Sequence, residues 1–149
     1  MITANTATPC GDRSRGRCCR IFKPVAQALL QASRRGLFLE FDIQSQSFVT
    51  QFHTHVRFAY SSVAYRYGLR SYSRHFRFVF PPDTRELCDA VVCVVARGDG
   101  GMSRVYIVPR SEYRFKGDSR KPLSIYIPEG AGEYWDRFEE SWGLLGVKG

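Results

Sequence analysis

Alternation of apolar and polar positions dominates the first half of the chain. Ile21 to Arg35 places Val25, Ala28, Leu29 and Ala32 at i, i+3, i+4 and i+7, the stripe of an amphipathic helix. Pro24 suits the first turn, Arg34 and Arg35 suit the last, and Gly36 stands where a helix is capped. Leu37 to Ile43 then reads as a strand and Ser45 to Ser47 as a turn. Phe48 to Tyr60 alternates throughout, which predicts one continuous second strand. Its even-numbered residues, Phe48 to Tyr60, share one face; Val49, Gln51, His53, His55, Arg57 and Ala59 share the other. Strand, turn and strand make a β-hairpin with one core face and one polar, basic face.

Val63 to Arg70 predicts a third strand and Tyr72 to Phe80 a fourth, with aromatic residues at 72, 76, 78 and 80 and Pro81-Pro82-Asp83 ending it. Thr84 to Leu87 reads as a short helical turn. Ala90 to Ala96 is continuously apolar and mostly β-branched, the signature of a central strand buried on both faces. Gly98 to Gly101 is a turn, and Arg104 to Pro109 and Leu123 to Ile127 are strands. A final helix is expected over Glu133 to Leu145, with Tyr134, Trp135, Phe138, Trp142 and Leu145 inward and Gly146 ending it. This order predicts an α/β (α+β) domain over residues 21–149, a mixed β-sheet flanked by helices. Residues 1–20 lack apolar periodicity and are expected to form a disordered basic arm.

Charge sharpens the picture. The net charge is +8, and all of the excess is in residues 1–80, which hold twelve Lys/Arg against three Asp/Glu. No acidic residue occurs from Ile43 to Pro82, a stretch carrying Arg57, Arg66, Arg70, Arg74, Arg77 and all three histidines. A nearly all-arginine block of this kind suits phosphate, because the planar guanidinium matches it better than an ammonium does. Nucleic acid is the expected partner. Arg66, Arg70, Arg74, His75 and Arg77 are the candidate phosphate contacts, with Arg110 and Arg114 extending the patch. Tyr60, Tyr65, Tyr67 and Tyr72 interleave with these arginines, but at period two they fit core packing better than base stacking.

The five cysteines fit no metal-ligand spacing. Cys88 and Cys93 are expected to be buried thiols, while Cys10, Cys18 and Cys19 leave open a zinc site in the arm. No stretch of 18 apolar residues and no secretory leader is present, so the expected setting is a reducing cytoplasm, without membrane.

The last third carries a more specific pattern. Cys88-Asp89-Ala90-Val91-Val92-Cys93-Val94-Val95 leads to Arg104-Val105-Tyr106-Ile107-Val108-Pro109, then to Lys121-Pro122-Leu123-Ser124-Ile125-Tyr126-Ile127-Pro128, and closes with Tyr134-Trp135-Asp136-Arg137-Phe138 through Leu145. Over residues 85–145 this succession resembles the group I intron-associated PD-(D/E)XK endonuclease family. The resemblance implies a restriction-endonuclease-like fold and Mg2+- or Mn2+-dependent hydrolysis of DNA phosphodiester bonds. It also implies an Asp ending one strand and a tripeptide ending in Lys on the next. Asp42 takes the first position and would hold the metal, and His55-Val56-Arg57 takes the second. The register matches, but His55 stands where the family has Gln or Glu, and Arg57 stands where it has Lys. An arginine supplies charge without a usable proton, and imidazole is a poor Mg2+ ligand. Glu40, two residues before Asp42 on the same side, is a candidate substitute carboxylate.

Three functions follow: a metal-dependent endonuclease, a catalytically inactive DNA-binding remnant of the same fold, and a basic RNA-binding or interaction module. A homodimer or higher homo-oligomer suits the first, since cutting both strands takes two active sites.

Overall fold

A computed structural model of the protein describes residues 15–62, 64, 74–97 and 101–146, with side chains from Lys23 onward. The architecture is α+β, with a five-stranded mixed sheet, a separate two-stranded ribbon and a few helices. The predicted third strand at 63–70, Arg66 and Arg70 included, falls outside the described residues except for Ala64. So do most of the 98–101 turn and the start of the 72–80 strand.

Helix α1 spans Arg15–Arg34, six residues earlier than the apolar stripe predicts, and so begins inside the expected arm. Pro24 therefore lies within the helix rather than in its first turn, and one backbone hydrogen bond is missing there. Ala28 and Ala32 are fully buried, as the stripe requires. Gly36 ends the helix at φ 83°, with the Leu37 amide donating to Ala32 O (3.0 Å). This is a left-handed cap that glycine adopts without steric penalty.

The main sheet comprises β1 (Leu39–Asp42), β2 (Ser47–Thr50), β3 (His55–Ser61), β5 (Ala90–Ala96) and β6 (Met102–Pro109), hydrogen-bonded in that order. β3 and β5 run parallel, and the other neighbours run antiparallel. Every residue of β5 is buried, as its unbroken apolar run predicts. The ribbon pairs β4 (His75–Phe80) with β7 (Leu123–Pro128). α2 (Thr84–Leu87) lies between β4 and β5.

Two cores sandwich the sheet. On one face Ala28 and Ala32 of α1 pack with Val56, Val92, Val105 and Ile107. On the other, Phe76, Phe78, Phe80, Ile125 and Ile127 of the ribbon cover Val91, Cys93 and Val108. A helix thus flanks one face and a β-ribbon the other, because the strict alternation of β4 and β7 gives each strand a single apolar side. Cys88 and Cys93 are buried free thiols, as expected.

Two predicted elements are corrected. Phe48–Tyr60 is not one strand, since a tight turn at 51–54 splits it. Thr50 Oγ1 accepts from the Phe52 and Thr54 amides (3.1 and 3.2 Å), and His53 sits at φ 64°. A hydroxyl that captures local amides competes with ladder bonding, which alternation cannot register.

The final helix is also broken. α3 spans only Glu133–Asp136, and a 3-10 turn forms at Trp142–Leu145. Between them Phe138–Glu140 pairs with the edge of β6. Ile107 N donates to Phe138 O and Glu140 N to Val105 O (both 2.9 Å). Phe138 joins the ribbon-side core, whereas Trp142 and Leu145 join the helix-side core. The segment wraps the sheet edge, which a continuous helix could not do, and it covers backbone groups that an edge strand would otherwise leave open.

Candidate functional site

Sheet register places Glu40, Asp42, Ser47, His55 and Arg57 on one face, because Asp42 pairs with Ser47, and Glu40 and His55 both pair with Val49. At the end of β1, Asp42 caps its own turn, with the Gln44 amide (3.3 Å) and Ser45 Oγ (2.6 Å) donating to its carboxylate. Ser45 Oγ lies 2.7 Å from Ser47 Oγ, which lies 3.1 Å from His55 Nδ1. Each hydroxyl has one proton to give. With Ser45 donating to Asp42, Ser47 must donate to Ser45 and accept from His55. The network thus assigns the proton to Nδ1 of His55. The Ser45 hydrogen bond, with the two local amides and the nearby His55, holds the Asp42 carboxyl below its ordinary range against an opposing desolvation.

Arg57 makes no hydrogen bond to Asp42. Its Nη1 donates to Asp83 Oδ1 (2.6 Å) and Thr84 Oγ1 (2.7 Å), Nη2 to Ser45 O (2.7 Å), and Nε to Gln46 O (3.3 Å). Its side chain is only 8% exposed. The guanidinium fastens the β1–β2 turn to the start of α2, and in return holds the Asp83 carboxyl below its usual range. The Arg57 fork has no free edge for a phosphate. The sequence pattern did not show Asp83 and Thr84 as its partners. An Asp-Thr pair opening a short helical turn was the available sign.

At the starts of β3 and β5, Asp89 Oδ2 accepts from the His55 amide (2.9 Å) and Oδ1 lies 3.7 Å from Arg110 Nη2. Arg110 Nη1 also donates to Glu86 O (3.0 Å). The Arg110 side chain is thus joined to the His55 end of the sheet, while its carbonyl accepts from the Arg114 amide (2.8 Å).

A Mg2+ ion on Asp42 would need further oxygen ligands beside it. Glu40 is exposed on the same face, two residues up the strand. The nearest imidazole presents an Nδ1 committed to Ser47. Among the described residues no three His, Cys, Asp or Glu side chains come together as a metal-holding group. The residues present do not fit the metal centre that the resemblance implies.

The remaining cationic candidates lie on the ribbon and the loop leading into β7. Arg77 is exposed on the outer face of β4, donates to Ser124 Oγ (3.2 Å) and lies 6.0 Å from the Tyr126 ring centroid. Arg74 donates to Ala64 O (3.2 Å) and lies 4.0 Å from Glu129, with half its side chain exposed. His75 is half-buried, and its Nδ1 has no hydrogen-bond partner. Arg114 is exposed beside Phe115. Sequence reasoning did not single out Lys116, Arg120 and Lys121, which share the Arg114 loop and are all exposed. Arg85, buried at the base of that loop, donates to the carbonyls of Lys116 and Lys121 (2.8 Å each).

Fold and surface together define a small basic α+β protein, with a hydrogen-bonded carboxylate–imidazole network at one end of its sheet and exposed cations on its ribbon and loop. No family model, curated protein or solved structure matches the chain. Among the described residues no helix is long and apolar enough to cross a membrane.

Proposed function

We propose that this protein binds DNA through its exposed cations and does not hydrolyse it. The observation that carries this reading is the commitment of Arg57. The residue at the position of the catalytic lysine in the resemblance is a buried structural clamp. Arg77, Arg114, Lys116, Arg120 and Lys121, by contrast, keep exposed side chains. Exposed cations that neutralise phosphates supply affinity without chemistry. This reading corresponds to an inactive relative of the PD-(D/E)XK fold, and the resemblance over residues 85–145 supports it.

The test is a gel-shift salt series on duplex DNA, run beside cleavage assays in Mg2+ and in Mn2+. Four or five phosphate contacts predict a slope of about −3 to −5 for log K against log salt. Asp42→Ala should bind as the parent does, and no nicking should appear with either metal. Metal-dependent nicking lost in Asp42→Ala would overturn the non-hydrolytic reading in favour of the nuclease. Salt-independent or absent binding would overturn the DNA reading itself.

A further inference from the structure

The nearly neutral second half of the chain contains one concentration of positive charge. Arg114-Phe115-Lys116-Gly117-Asp118-Ser119-Arg120-Lys121 holds four cations and a single carboxylate. That carboxylate is occupied, since Asp118 accepts from the Arg120 amide (2.9 Å) and from Arg120 Nε (3.4 Å). Between Arg114 and Lys116 stands Phe115, 87% exposed and the most exposed large apolar residue among the described residues. The Arg114 guanidinium lies 5.2 Å from its ring centroid.

An aromatic ring left in water forgoes roughly the 1.5–3 kcal/mol that burying it would contribute. Here the surroundings hold it out. Arg85 closes the stretch from Lys116 to Lys121 through the carbonyls of those two residues and also donates to Pro82 O (3.3 Å), while on the Phe115 side the Lys116 amide donates to the carbonyl of buried Tyr113 (3.0 Å). Gly117 bends the chain at φ 68°, where an added Cβ would be strained and would lie 3.6 Å from Arg85 Nη2. The loop is therefore pinned at its base by a buried arginine and presents its ring and cations outward.

We propose that the Arg114–Lys121 loop contacts unpaired nucleotides, with Phe115 stacking on a base and Lys116 and Lys121 neutralising the adjoining phosphates. A ring among cations matches the two halves of a nucleotide. Every base offers a π-face, and such stacking is sequence-tolerant. A membrane surface fits less well, because the remaining positions are Gly, Asp, Ser and charged residues, and interfacial binding scales with apolar area. This inference rests on the nucleic-acid reading above and goes beyond it by naming the structure recognised, an unpaired base rather than a continuous duplex.

The test compares two DNA duplexes, one fully paired and one with a single bulged 2-aminopurine, for the parent chain, Phe115→Ala and Phe115→Trp. The parent should prefer the bulged duplex and quench its 2-aminopurine fluorescence. Phe115→Ala should lose about 5- to 150-fold in affinity for the bulged duplex, corresponding to roughly 1–3 kcal/mol per stacked base, and should bind the paired duplex unchanged. Phe115→Trp should retain both the preference and the quenching. Phe115 is a surface side chain, so thermal unfolding should be the same in all three.

Equal affinity of parent and Phe115→Ala for the bulged duplex overturns the stacking role while leaving salt-dependent duplex binding intact. Loss of binding to anionic phospholipid vesicles in Phe115→Ala, with DNA binding unchanged, assigns the loop to a membrane and also overturns it. No binding of either duplex by the parent overturns both this inference and the reading beneath it.

Discussion

Replacing Arg57 separates a structural arginine from a catalytic one. The guanidinium makes four donor contacts of 2.6–3.3 Å to Asp83, Thr84, Ser45 and Gln46. Hydrogen bonds to a charged group contribute about 1.5–3 kcal/mol each, but they are not additive. Breaking a buried pair costs roughly 3–5 kcal/mol, because one partner is left unpaired. The partner carboxylate here is 64% exposed and regains water when the arginine is gone. The main loss is then the orphaned Thr84 hydroxyl, which is buried, and the Ser45 and Gln46 carbonyls. Arg57→Ala should therefore cost about 3 kcal/mol, lowering Tm by about 6–12 °C at this chain length. Arg57→Lys keeps the charge, but a point ammonium reaches fewer of the acceptors and should cost about half as much. Urea unfolding followed by tryptophan fluorescence and circular dichroism measures both. A change below about 0.5 kcal/mol for Arg57→Ala would refute the clamp. An Arg57→Lys protein as stable as the parent that gains metal-dependent nicking would return the residue to a catalytic position.

Other expectations rest on the same geometry. Arg85→Ala should remove the base of the Arg114–Lys121 loop and speed tryptic cleavage within it, read by timed mass mapping, while Arg120→Ala should not. Ser47→Ala interrupts the Asp42–His55 network at its fully buried member and should cost about 1–2 kcal/mol in urea unfolding. The Asp42 and Asp83 carboxyls titrate below their ordinary range in the folded state. Their stabilisation is complete above the ordinary carboxylate range and is lost as pH falls through the lowered folded values. The urea midpoint should hold steady down to that range and drop below it, with a smaller drop in Asp83→Asn. Burial pushes the Cys88 thiol up to about 11 and raises Cys93 as well. At pH 8 iodoacetamide should label either one only after denaturant is added, as peptide mapping would show.

The elements legible in the sequence are those whose side-chain period reflects a single packing environment. β5 is apolar throughout because both of its faces are buried, and β4 alternates because Phe76, Phe78 and Phe80 face one core while Arg77 and Val79 face outward. Alternation did not reveal what covers each face, so a ribbon stands where a helix was expected. It misled where one residue type serves two ends. Thr50 alternates as a strand residue should, yet its hydroxyl gathers the amides that turn the chain. Phe138, Trp142 and Leu145 keep helical spacing while lying on opposite sides of the sheet, because the chain between Phe138 and Trp142 wraps the edge of β6.

The candidate site shows the same division. Period two correctly put Asp42, His55 and Arg57 on one face. The partner that decides the role of Arg57 is Asp83, 26 residues away and brought near only by the excursion through the ribbon. Charge summed over half the chain hid the reverse case, since the nearly neutral second half gathers four of its cations into one anchored loop around an exposed ring. A solvated charge run would not need a buried arginine holding its base or an aromatic ring turned out to water. Both features make sense if the loop is shaped for a partner that is flat and anionic.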